Sequence, residues 1–139
     1  MSQITREQLE RLTREQLPFA KSYGFVIEKL AEGEARVRLP ANGEFLRPGG
    51  TISGPAMMAP ADYTVYAAVL ATIGPVELAV TTNLNINFLH KPRPGDLVAT
   101  ATLIKLGKRL AVGDVPIHAA DGSLLVAHAT ATYSIPPHR

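Results

Sequence analysis

The sequence contains no cysteine. Disulfide scaffolds, thiolate-bound zinc and thiol nucleophiles are therefore excluded, and the absence fits a reducing compartment. Long hydrophobic runs are missing too. No stretch approaches eighteen uncharged apolar residues, and the N-terminus, MSQITREQLERLTREQ, is charged from its start. No membrane span or secretory signal is expected, and a cytoplasmic location is. An excess of one charge is also lacking: 14 Lys and Arg face 12 Asp and Glu, a net charge of +2. The basic residues are scattered with few aromatics beside them, so nucleic acid is not an expected partner. One small cluster, Lys105, Lys108 and Arg109, suits a smaller polyanion. Finally, no histidine occurs before His90. His90, His118, His128 and His138 are spaced too widely for a metal motif, and no metal is expected. His118 and His128 fall on predicted strands joined by a turn and are candidates for cross-strand neighbours.

What is present is a globular composition, 46% apolar and 19% charged over 139 residues. That length accommodates one core, so residues 1–139 read as a single domain. Residues 3–17 carry Ile4, Leu9, Leu12 and Leu17 at helical spacing. Thr5 and Gln8 have the form of a capping box, and Pro18 marks the end. Phe19, Tyr23 and Phe25 are expected to bury that end.

From Gly24 the period becomes that of strands. Phe25–Leu30 and Glu34–Leu39 flank Glu32-Gly33 and predict a hairpin. Residues 40–53, PANGEFLRPGGTIS, form a loop too long for a mere connection. The segment PAMMAPADYTVYAAVLATIG reads as a mostly buried helix ended by Gly74-Pro75, with Pro60 expected to kink or delay it. Whether it starts at Gly54 or is reset at Pro60 stays open, and this decides where Asp62 points. Four strands follow: Val76–Leu89, Leu97–Leu106, Leu110–His118 and Leu124–Ile135. Their short connections, HKPRPGD, GKR and ADG, predict an antiparallel meander. Ser-Ile-Pro-Pro is expected to stop the last strand at a sheet edge. The economical packing is α+β, one long helix against a strongly curved antiparallel sheet.

That order, together with TTNLNINFLHKPRPGDLVATATLIKLGKRLAVGDVPIHAADGSLLVAHATATYSI, resembles the hotdog fold and, within it, the PaaI-like acyl-CoA thioesterases. The likeness covers about residues 20–135 as the hotdog core, leaving residues 1–19 as an N-terminal helical extension. It rests on the strand ending in Asn-Ile-x-Phe-Leu, the Gly-Asp and Gly-Lys-Arg turns, and the strand ending in Thr-Tyr. The resemblance implies a curved sheet wrapped around a central helix. It also implies dimers whose sheets join, often paired into tetramers, with active sites at the subunit interface. The family's catalytic segment, Asn-x-x-Gly-x-x-His-Gly-Gly followed by an Asp, matches less closely. Arg47 stands at the Asn position, Gly50 at the first Gly, Ser53 at the His, Gly54 at the next Gly, and Pro55 at the last. Asp62 falls at the carboxylate and Thr81 at a polar position that helps orient water.

On chemistry alone, a carboxylate in a run of Ala, Met, Val and Tyr must be paired, hydrogen-bonded or poised for work. Asp62 is thus either a structural carboxylate or, as the resemblance implies, the general base or nucleophile. Gly54, at a helix start with free N–H groups, is the candidate oxyanion donor. Pro55 lacks the N–H that the family commonly uses, so the hole is built from Gly54 or Ala56, or is weakened. Ser53 is either a helix cap or a substrate contact. Arg47 is either a solvated loop residue or a contact for a carboxylate or phosphate. Met57 and Met58 are core or acyl-pocket residues. Lys91, Arg93, Lys108 and Arg109 are turn residues that could meet the phosphates of coenzyme A.

The expected reaction is hydrolysis of a short, medium or aromatic acyl-CoA to free acid and coenzyme A, with no cofactor beyond the coenzyme A of the substrate. The competing expectation is a non-catalytic acyl-CoA or fatty-acyl binding protein, favoured by Pro55 and opposed by Asp62. A hydratase would need a histidine in the central loop or helix, and none lies there.

Overall fold

A computed structural model describes residues 1–137; His138 lies outside the described residues. The first helix, α1 (Arg6–Gln16), opens on the expected capping box. Thr5 Oγ1 accepts from the Gln8 amide at 3.1 Å and Gln8 Oε1 from the Thr5 amide at 2.8 Å. Pro18 does more than end this helix, because it begins a second short one, α2 (Pro18–Lys21). A proline fits a first helical position, where the missing N–H has no partner anyway. Of the three aromatics expected to bury this end, Tyr23 and Phe25 do so and stack at 5.4 Å, whereas Phe19 is 59% exposed.

The hairpin forms as expected from β1 (Val26–Ala31) and β2 (Glu34–Leu39). The long loop then holds a single 3-10 turn (Gly43–Phe45) and a bridge between Leu46 and Ile52. The central helix, α3 (Gly54–Ile73), starts at Gly54 and runs through Pro60 without a reset. Only the one bond from position 60 is lost, and burial of the helix over residues 63–71 holds the rest of the ladder in place. By length and composition α3 could cross a membrane, yet 72% of its most apolar stretch is buried inside this protein.

Four strands complete the sheet: β3 (Val80–Phe88), β4 (Leu97–Leu106), β5 (Leu110–Ala119) and β6 (Leu125–Ser134). All pairings are antiparallel, in the order β1-β2-β4-β5-β6-β3. The four-strand meander is therefore wrong by one strand. β4, β5 and β6 do form one, but the segment after β3 carries the chain across the sheet, so that β4 pairs with β2 and β3 with β6. β6 is consequently interior, and Ile135-Pro136-Pro137 ends it without making it an edge. β3 is one edge, with β1 the other, and it begins at Val80 because Val76–Ala79 form a tight turn, with the Ala79 amide bonded to the Val76 carbonyl.

The face that meets α3 is built from small residues: Ala99, Ala101, Ala111, Ala127, Ala129 and Ala131 are all buried. Small side chains let a helix sit close, and the sheet curves around it. Contact is tightest at Gly113, where a Cβ would lie 2.9 Å from a Val65 methyl. The result is a hotdog fold with a short N-terminal helix, as the sequence predicts.

Candidate active site

Asp62 is the ninth residue of α3, half-buried, and faces the start of β3 and the end of β6. Thr81 and Tyr133 are register partners across those strands. Strand alternation turns both toward the helix. Thr81 Oγ1 donates to Asp62 Oδ1 at 2.7 Å, and the Tyr133 hydroxyl donates to the same oxygen at 2.6 Å. Tyr133 also donates to the Asp62 backbone carbonyl at 3.1 Å. No described residue donates to Oδ2. Burial first, and then the Asp62 charge and hydrogen bond, push the Tyr133 hydroxyl well above its usual range, so it remains a donor at any working pH. The carboxylate borders a pocket of about 230 Å³ walled by Leu17, Phe19, Ala59, Tyr63, Tyr66 and Ala79. Tyr66 is pushed up to about 12, chiefly by burial, and donates to the Glu77 carbonyl at 3.2 Å.

A second depression, of about 280 Å³, lies at the start of α3 and is lined by Arg47, Gly54, Met57, Phe88, His90 and Lys91. Here the free backbone donors can be counted. The amide of Ser53 bonds to the Phe45 carbonyl at 2.8 Å, and that of Ala56 to Ser53 Oγ at 3.4 Å. Pro55 has none. The Gly54 N–H has no partner among the described residues. Of the two candidate donors, the Ala56 amide is taken by Ser53 Oγ and the Gly54 amide is not. A Cβ on Gly54 would sit 3.3 Å from the Phe88 ring, so glycine keeps this depression open.

The remaining predicted residues divide. Ser53 is the helix cap, with no contact to either depression. Met57, 3% exposed, lines the Gly54 depression, whereas Met58 is 38% exposed and lines neither. Pro55 is exposed on the helix start. Arg47 and Lys91 reach the Gly54 depression, while Arg93 lines a separate one beside Asp96 and Asp121. Lys108 and Arg109 are exposed in the β4–β5 turn, at the sheet end that carries Thr81 and Tyr133. His118 pairs with Leu125, and His128 with Pro116, so the two histidines are not neighbours. Instead His128 Nε2 contacts Asp114 Oδ1. Among the described residues no group of three or more His, Asp or Glu could hold a metal ion.

The sequence reading overlooked Tyr133, Tyr66, Leu17 and Phe19. For Tyr133 a signal existed. It continues the inward row Ala127, Ala129, Ala131, and a buried phenol must find an acceptor.

A family model described as the thioesterase superfamily matches residues 49–126. A solved structure from Silicibacter sp. TM1040, provisionally named a thioesterase, is 45% identical with a TM-score of 0.87, covering 99% of this chain and 95% of its own. A mutant form of the phenylacetic acid degradation protein PaaI from Thermus thermophilus is 28% identical with a TM-score of 0.76, covering 86% and 99%. A protein of Saccharolobus solfataricus, provisionally named an esterase, is 36% identical over 113 residues, 81% of this chain and 73% of its own. The fold, the matched segment and these likenesses agree: the chain belongs to the hotdog-fold thioesterase superfamily and, within it, to the PaaI-like family.

Proposed function

We propose that this protein hydrolyses an acyl-coenzyme A thioester carrying a short, medium or aromatic acyl group, at a site shared between two copies of the chain. The observation that carries the reading is Asp62, fixed through Oδ1 by two hydroxyl donors at the edge of an apolar pocket. Such a carboxylate is oriented to take a proton from water. The water oxygen bonds to the thioester carbon, and the negative charge moves to the carbonyl oxygen. The Gly54 N–H and the positive end of α3 meet that charge. Collapse breaks the carbon–sulfur bond, and the proton held by Asp62 goes to the departing sulfur, giving free acid and coenzyme A.

One chain does not supply both groups to one thioester. Gly54 and Asp62 are eight positions apart on one helix, about 12 Å at about 1.5 Å per residue. The β3 edge supports a shared site. Its nine residues have Thr81 beside Asp62 at one end and Phe88 against Gly54 at the other. If two β3 edges pair antiparallel, the Asp62 end of each copy meets the Gly54 end of its partner. Lys108 and Arg109 of one copy then approach the sheet end holding the partner's Arg47 and Lys91, an arrangement suited to coenzyme A phosphates.

The test is thiol release from a panel of acyl-CoAs by the native protein and Asp62→Asn in parallel. Loss of about a hundredfold or more in kcat supports the assignment. Equal turnover in both removes Asp62 from the chemistry. The missing N–H at Pro55 favours a binding protein as the second reading, and saturable acyl-CoA binding with no turnover by either protein would establish it.

A further inference from the structure

Tyr63 belongs to two cavities at once. One face of its surroundings is the pocket beside Asp62. The residue also lines a larger cavity of about 340 Å³ between α1 and β1, together with Ala20, Phe25 and Ile27. Glu10, Arg14 and Lys21 surround its opening to solvent. Tyr63 is the residue common to both linings and is 5% exposed. It is held in two ways. The ring stacks on Phe25 at 4.6 Å with an interplanar angle of 13°. Its hydroxyl meets Thr13 Oγ1 at 2.7 Å, and because Thr13 donates its own proton to the Leu9 carbonyl at 2.7 Å, Tyr63 is the donor. Thr13 and Leu9 both lie on α1, which is outside the segment the family model matches.

We propose that Tyr63, latched by Thr13, is the partition that sets the length of acyl chain this protein accepts. The inference rests on the acyl-thioester reading of the Asp62 site. An acyl group whose carbonyl sits at Asp62 has its apolar part directed into the pocket that Tyr63 closes, since the other surroundings carry the charged end of coenzyme A. Chains that fill this pocket gain affinity with each methylene. Longer ones meet the ring and gain none. Removing the ring joins the pocket to the second cavity, whose apolar walls can take the continuing chain.

The experiment uses the full chain and a ladder of saturated acyl-CoA thioethers, which keep the coenzyme and cannot be hydrolysed. Affinity is measured for the native protein, Tyr63→Val and Thr13→Val, with circular dichroism to show that each is folded. The native ladder should rise and then level off. In Tyr63→Val the plateau moves to longer chains, with about fourfold added affinity for each methylene that enters the second cavity. Thr13→Val keeps the ring but releases it, so a smaller shift in the same direction is expected; if Tyr63→Val folds poorly, this variant decides alone. A plateau at the same length in every folded variant overturns the role of Tyr63, and thiol release by the native protein would leave the thioesterase reading standing. A native ladder without a plateau also overturns it. Absence of binding to every thioether overturns the proposal, and absence of turnover as well would remove the thioesterase reading with it.

Discussion

Tyr133→Phe removes one hydroxyl from the interior and keeps the buried ring. That hydroxyl lies 2.6 Å from Asp62 Oδ1 and 3.1 Å from the Asp62 carbonyl. A hydrogen bond to a charged acceptor contributes about 1.5–3 kcal/mol. Asp62 is only half-buried and keeps Thr81 as a second donor, so the lower part of that range applies, about 1.5–2 kcal/mol. In an Asp62→Ala background the hydroxyl retains the backbone carbonyl and the Thr81 hydroxyl as partners, and its removal should cost below about 1 kcal/mol. The double-mutant cycle should therefore show a coupling of about 1 kcal/mol. Urea denaturation of the four proteins at one fixed concentration reads it, provided that the m-value is unchanged. Thiol release gives a second readout. Tyr133→Phe should lower kcat with KM near the native value, because the ring keeps its place and only the carboxylate loses its orientation. Costs that add within about 0.3 kcal/mol would refute the hydroxyl–carboxylate bond as the source of order at this site. A raised KM with native kcat would reassign Tyr133 to holding substrate.

Gly113→Ala places a methyl 2.9 Å from a Val65 methyl where helix meets sheet, and should destabilise by about 1–3 kcal/mol in thermal unfolding, partly recovered by Val65→Ala. Stability should fall in alkali. Burial raises the hydroxyls of Tyr63, Tyr66 and Tyr133 above the ordinary value of 10.0, Tyr66 to about 12. Above about pH 10 the unfolded chain releases protons that the native state keeps, so this contribution is complete below that pH and is lost as pH rises through the folded values. Urea midpoints measured from about pH 9 to 11 should drop, and less steeply in Tyr66→Phe. A shared site predicts complementation: Asp62→Asn and Gly54→Val are each inactive, but after co-refolding the mixed dimers hold one intact site. About a quarter of native activity should return, whereas a site within one chain would return none.

The elements of this fold were legible because they are written locally. The Thr5–Gln8 capping box, the Glu32-Gly33 turn and the strand at Leu97–Leu106 each depend on a few neighbouring residues, and the structure holds all three. Sheet order is not local. HKPRPGD has the composition of a hairpin turn, yet it carries the chain from one edge of the sheet to a place beside β2, a choice made by which strand buries which face of α3. The site divides in the same way. Asp62 was visible as a carboxylate in an apolar run, and Thr81 followed from the family's pattern. Tyr133 is 71 residues from Asp62, and only pairing of β3 with β6 brings its hydroxyl to the carboxylate. Gly54 and Asp62 look like partners in the sequence because one helix holds both. The same helix keeps them about 12 Å apart, with Thr81 of β3 beside Asp62 and Phe88 of β3 beside Gly54. Under the proposed function, that spacing calls for two chains paired through β3, and the complementation of Asp62→Asn by Gly54→Val decides it.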